Sequence, residues 1–221
     1  MFVLDEDLHD PAQVVTAGTR LGHARGAAIL MHGRGASARD MIALATHMAP
    51  PGIAVLAPQA TGNSWYPYPF TAPLASNEPK LSSALEVIAT IVAALGDAGL
   101  QPDRIAIGGF SQGACLATEF VARNAQRYGG VLGFSGGLIG PAGTPRDYEG
   151  DLEGTPVFLG CSDVDPHIPL ERVEETATVL AAIGGRVDKR IYRGMGHSVN
   201  NEEVAYARNI LALLAVGQTA A

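Results

Sequence analysis

The chain has 221 residues, 47% of them hydrophobic and 17% charged, with a formal net charge of −7. That length suits a single α/β domain with a sizeable core, and the composition excludes a disordered chain. No Lys/Arg stripe runs along it, and lysine occurs only at Lys80 and Lys189, which argues against nucleic acid or an anionic membrane surface as partner.

Short β-rich apolar runs alternate with longer helical patterns. Val14 to Ala17 reads as an edge strand, antiparallel to the rest. Ala27 to Met31 is a buried strand, followed by a helix over Ser37 to Met48 with Ser37 as its cap. Ile53 to Leu56 is the next strand. Residues 58–80 are loop-like, rich in proline and aromatics. Leu81, Leu85, Ile88, Val92 and Leu95 recur at three and four, which predicts a helix over Leu81 to Leu95. Arg104 to Ile107 reads as a strand, Gln112 to Arg127 as a helix and Val131 to Phe134 as a strand. A Gly/Pro-rich loop then runs to about 154. Pro156 to Leu159 is a strand, Leu170 to Ile183 a helix, Val187 to Tyr192 a strand, and Asn201 to Val216 a closing helix. This alternation predicts one α/β domain over 1–221, with a mostly parallel twisted sheet and helices on both faces. Loops as long as 58–80 and 135–154 are usually functional.

Gly109-Phe110-Ser111-Gln112-Gly113 has the G-x-S-x-G form that places a serine nucleophile on a sharp strand-to-helix turn. The flanking glycines avoid a clash there, and the helix start points positive partial charge at a developing oxyanion. Gly133-Phe134-Ser135-Gly136-Gly137 matches the same pattern. Only Ser111 stands between a buried strand and a good helix; the Gly-Gly-Leu-Ile-Gly-Pro run after Ser135 cannot start one. In such folds the acid and the base follow the serine in that order. His197, in a Gly-rich loop directly after the strand ending at Tyr192, is the candidate base. His167 stands two residues from a candidate acid, too close in sequence to face both acid and serine, and is read as lining the pocket. After the strand Pro156 to Leu159 stand Asp163 and Asp165; spacing alone favours neither. The oxyanion needs two backbone N–H groups. Gln112 supplies one, and His32-Gly33-Arg34-Gly35, after the first buried strand, offers Arg34 for the other. His32 itself is read as structural. Trp65, Tyr66, Tyr68 and Phe70 cluster in a chain that is only 6% aromatic, which suggests either an apolar wall or lid over the site or a loop anchored against the core by its own aromatics, with Trp65 suited to both.

The set His32-Gly33, Ser64-Trp65, Gly109-Phe110-Ser111-Gln112-Gly113, Asp165-Pro166-His167-Ile168-Pro169 and Gly196-His197 resembles the phospholipase/carboxylesterase family, which includes acyl-protein thioesterases. The resemblance runs from about residue 26 to 213 and implies the α/β-hydrolase fold. Matching its D-P-x-x-P element selects Asp165 as the acid of a triad with Ser111 and His197. Its oxyanion positions fall on Arg34 and Gln112. Members often carry H-G-x-G-D, where this chain has Ala36, and S-W-F-D, where it has Ser64-Trp65-Tyr66-Pro67.

The expectation is a serine carboxylesterase acting through an acyl-enzyme on small-molecule esters, with thioesters or lysophospholipids as variants. Trp65, Tyr66 and His167 are its expected substrate contacts. The alternatives are a lactone or aryl-ester hydrolase on the same fold, or a non-catalytic binding protein. No metal or cofactor is expected, since there is no H-E-x-x-H, Rossmann or P-loop fingerprint. Cys115 and Cys161 read as free buried thiols in a reducing compartment. Met1 to Asp7 carry no basic n-region, and no run approaches the length of a membrane span, so a cytoplasmic location is expected. Oligomeric state, homodimer or otherwise, is not readable.

Overall fold

A computed structural model describes residues 8–216; residues 1–7, read above for a leader, lie outside them. Seven strands form one sheet in the order β1-β3-β2-β4-β5-β6-β7. They are β1 Val14–Gly18, β2 Gly26–Met31, β3 Ile53–Pro58, β4 Ile105–Phe110, β5 Gly130–Phe134, β6 Pro156–Ser162 and β7 Arg186–Tyr192. β1 runs antiparallel to β3, and every other pairing is parallel. The helices are α1 Ala38–Ala45, α2 Leu74–Asn77, α3 Lys80–Asp97, α4 Gln112–Arg123, α5 Leu170–Ala182 and α6 Asn201–Ala215.

The strands carry apolar side chains on both faces because both faces are covered. Ile29, Leu56 and Ile107 point into a core with α3, α4 and α5. Leu30, Val55 and Ala106, their neighbours in sequence, point into a second core with α1 and α6. Among the described residues no helix is long and apolar enough to cross a membrane.

Several boundaries differ from the reading above. α1 stops at Ala45 and α4 at Arg123, both short of the expected ends. Asn124, at φ −125°, turns the chain out of the α4 helix. Arg104 belongs to a 3₁₀ turn, Pro102–Arg104, rather than to β4. The loop 58–80 contains the single-turn α2, too short to leave a periodic pattern. Ser37 caps α1 as expected, in a reciprocal box with Asp40.

Candidate active site

The C-terminal ends of β2, β4, β6 and β7 lie together along one edge of the sheet, the place where parallel sheets bind ligands. Each delivers one part of the site. Ser111 follows β4 at φ 55° and ψ −118°, a conformation that costs a non-glycine residue of order 1–3 kcal/mol. Its neighbours have no room for a side chain. A Cβ on Gly113 would lie 2.1 Å from the Met31 carbonyl oxygen, and one on Gly109 2.5 Å from the same oxygen. The turn therefore packs directly against the end of β2, which explains the small residues two before and two after the serine.

His197 joins the parts. Its Nε2 accepts from Ser111 Oγ at 2.9 Å, and its Nδ1–H donates to Asp165 Oδ2 at 2.7 Å. The Asp165 carboxylate is fully buried. Burial works to raise its pKa, but the His197 bond and the N–H groups of His167 and Ile168 outweigh it, so the carboxyl sits below its ordinary value. Of the two aspartates that spacing left open, Asp165 meets His197. Asp163 is exposed to solvent, and its Oδ1 accepts the Gly194 N–H at 2.8 Å, which ties down the loop that carries His197. The Ser162 hydroxyl holds the same loop through the Gly196 N–H. The Cys161 thiol leans on Asp165 Oδ2 at 3.8 Å, and burial pushes this thiol up to about 12, so it stays protonated. Ser135, the second match to the pentapeptide, also has positive φ, at 50°, but is completely buried.

The loop after β2 lies against Ser111: a Cβ on Gly33 would be 3.4 Å from that of the serine. Among the described residues neither the Arg34 N–H nor the Gln112 N–H has an acceptor. His32 is buried and braces this loop. Its Nδ1–H donates to the Gly33 carbonyl, and its Nε2 accepts the Ala60 N–H. Burial lowers its pKa, consistent with a neutral ring. Its role is structural, as expected.

The Gln112 side chain does work that the sequence did not suggest. Its Oε1 accepts the Trp65 N–H at 2.9 Å and its Nε2 donates to the Tyr66 carbonyl at 2.8 Å, so it fastens the 58–80 loop to the start of α4.

A cavity of about 590 Å³ opens over Ser111, lined among others by Tyr66, Phe70, Phe110, Ile168, His167 and His197. Tyr66 and His167 thus stand where substrate contacts were expected. Trp65 does not. It is fully buried, its indole N–H donates to the His32 carbonyl, and it packs beside the His9 and His32 rings away from the cavity. Its indole is a support for the loop rather than a wall of the pocket.

A model of the phospholipase/carboxylesterase family matches residues 12–215. The chain belongs to that family. A crystal structure of a phospholipase/carboxylesterase from Dyadobacter fermentans superposes with TM-score 0.89 at 40% identity, covering 93% of this chain and 98% of that one. The crystal structure of esterase PE8 gives TM-score 0.74 at 25% identity, covering 90% and 97%. The family fold is thus the α/β-hydrolase fold. Among curated relatives, an acyl-protein thioesterase 1 of Gibberella zeae is 34% identical over 111 residues, 49% of this chain and 47% of its own. A probable carboxylesterase of Arabidopsis thaliana, SOBER1-like, is 29% identical over 152 residues, 67% of this chain and 58% of its own. The matched stretches span about half the length of these curated family members.

Proposed function

We propose that the chain is a serine esterase that cleaves carboxylic esters, or thioesters, through an acyl-enzyme. One observation carries this reading: His197 bridges Ser111 and Asp165 in hydrogen-bond contact at the floor of an apolar cavity. Ser111 Oγ attacks the substrate carbonyl as its proton passes to His197 Nε2. Asp165 keeps the ring in the tautomer that presents a bare Nε2, and balances the imidazolium once it forms. The negative charge on the carbonyl oxygen meets the free N–H groups of Arg34 and Gln112 and the start of α4. His197 then gives its proton to the departing alcohol or thiol. A water repeats the sequence on the acyl-serine and restores the enzyme.

The acyl half of the substrate rests on Tyr66, Phe70, Phe110 and Ile168. These surfaces suit a short-to-medium apolar chain. The test is a series of p-nitrophenyl esters from acetate to laurate, beside matching thioesters and lactones. The expected result is a maximum of kcat/KM among the short-to-medium straight-chain esters or thioesters. Turnover confined to lactones would move the protein to the alternative chemistry on this fold. The absence of turnover on every ester and thioester would contradict the proposal.

A further inference from the structure

The protein carries a net charge of −7, yet the cavity over Ser111 has no carboxylate in its lining. It has one permanent cation, Arg34, together with two histidines. Two buried carboxylates close to the cavity are otherwise engaged. Asp165 lies fully buried behind His197. Glu119, beyond Tyr66, is buried too, paired with Arg123 and accepting the Ile139 N–H. Position 36, two residues past Arg34 and also on the cavity wall, is alanine.

The Arg34 guanidinium is fixed without being neutralised. It donates to Ser64 Oγ at 3.1 Å, the Pro67 carbonyl at 2.9 Å and the Tyr68 carbonyl at 2.8 Å, and stands 6.0 Å from the centre of the Tyr66 ring. All three acceptors are uncharged. Both Nη1 hydrogens and one on Nη2 are used, which leaves the Nε–H and one Nη2–H of this exposed side chain unassigned. Among the described residues it has no acidic partner. A cation held in place by neutral groups has already given up its rotamer freedom, so an arriving anion need not order it.

We propose that Arg34 selects esters whose alcohol or thiol half carries an anionic group, a carboxylate or phosphate, a few bonds from the scissile carbonyl. The apolar walls take the acyl chain, and the exposed mouth, where the Arg34 side chain stands, takes the leaving group. Arg34 then serves twice: its backbone N–H at the oxyanion and its guanidinium at the leaving group. The inference rests on the esterase reading above and adds the substrate class to it.

The test compares butyrate esters of 3-hydroxybenzoate and 3-hydroxybenzamide, which differ in charge and little in shape. Each kcat/KM is divided by the ester's hydroxide-catalysed rate. Wild-type protein should favour the carboxylate by roughly tenfold, the scale of one charge-assisted hydrogen bond. That preference should shrink as NaCl is raised, because the Debye length falls to about 8 Å at physiological ionic strength and shorter beyond it. Arg34→Gln should bring the ratio to about one, and Arg34→Lys should keep part of it. The ratio within each variant cancels any damage to the oxyanion loop, which lowers both rates together. Monophenyl glutarate against its amide places the charge on the acyl side, where no gain is expected. Turnover of both benzoate-type esters without discrimination overturns this inference alone. So does a ratio that survives Arg34→Gln, or a preference that follows the acyl-side charge. No turnover of any of these esters overturns the esterase reading and this inference with it.

Discussion

Two aspartates two residues apart illustrate how much a single side chain's placement decides. Asp165 contacts the imidazole of His197, whereas Asp163 contacts only the backbone of the loop that carries it. If Asp165 is the acid, Asp165→Asn leaves the fold intact but favours the wrong tautomer, and kcat should fall by about 10⁴. Asp163→Ala removes one hydrogen bond to Gly194 N–H, worth about 1 kcal/mol, and should cost no more than roughly tenfold. Steady-state kinetics on the two variants, with circular dichroism to verify folding, check this. Equal losses would contradict the assignment. The residues themselves offered no means of choosing between the two, because extended chain points alternate residues the same way and their reach depends on β7. The match to D-P-x-x-P made the choice instead. Trp65 shows the opposite limit. A tryptophan in an aromatic loop reads equally as a pocket wall and as an anchor against the core, and here it is the anchor: its indole N–H finds the carbonyl of His32, 33 positions earlier. No local pattern announces such a partner.

At the scale of elements, the strands and long helices were legible because the period of their apolar residues changes with the structure they form. The misplaced ends of α1 and α4 had no such signal. They are set by where the chain must turn toward its next partner. The start of α6 shows what a helix terminus can store. Asn200 caps α6 by accepting the N–H groups of Glu202 and Glu203, and Glu203 Oε2 returns a bond to the Asn200 N–H. Glu203 is completely buried against β6, and its Oε1 has no partner among the described residues. Burial pushes its carboxyl up to about 7 from 4.5, assisted by Glu202 and opposed by the Asn200 N–H. The folded state therefore holds a proton that the unfolded chain releases near its ordinary value. This contribution to stability is complete below about 4.5 and is lost as pH rises through about 7. Its full span is about 3 kcal/mol by linkage. Glu203→Gln keeps an acceptor for the cap and removes the titration. Between pH 5.5 and 8 the melting temperature of the wild type should fall relative to that of the variant. Parallel curves across that range would contradict this account of Glu203.

Across the whole molecule, the sheet brings together residues that are far apart in the chain. Ser111 and His197 are 86 positions apart, and Asp165 and His197 32. They meet because β4, β6 and β7 run parallel, so their following loops emerge on one side. β2 adds the loop of Gly33 and Arg34 at the same edge. The separation of two apolar cores leaves that edge free for chemistry, with the cavity above it and the 58–80 loop fastened over it by Gln112. In the proposed function Ser111 is the group that attacks substrate, and every other part of the site serves it. The most direct measurement is the intact mass of wild type and Ser111→Ala after exposure to a fluorophosphonate, with peptide mapping of the modified site. The account predicts one adduct, on Ser111, in the wild type, and none in the variant. An unmodified wild type, or an adduct that persists in Ser111→Ala, would contradict it.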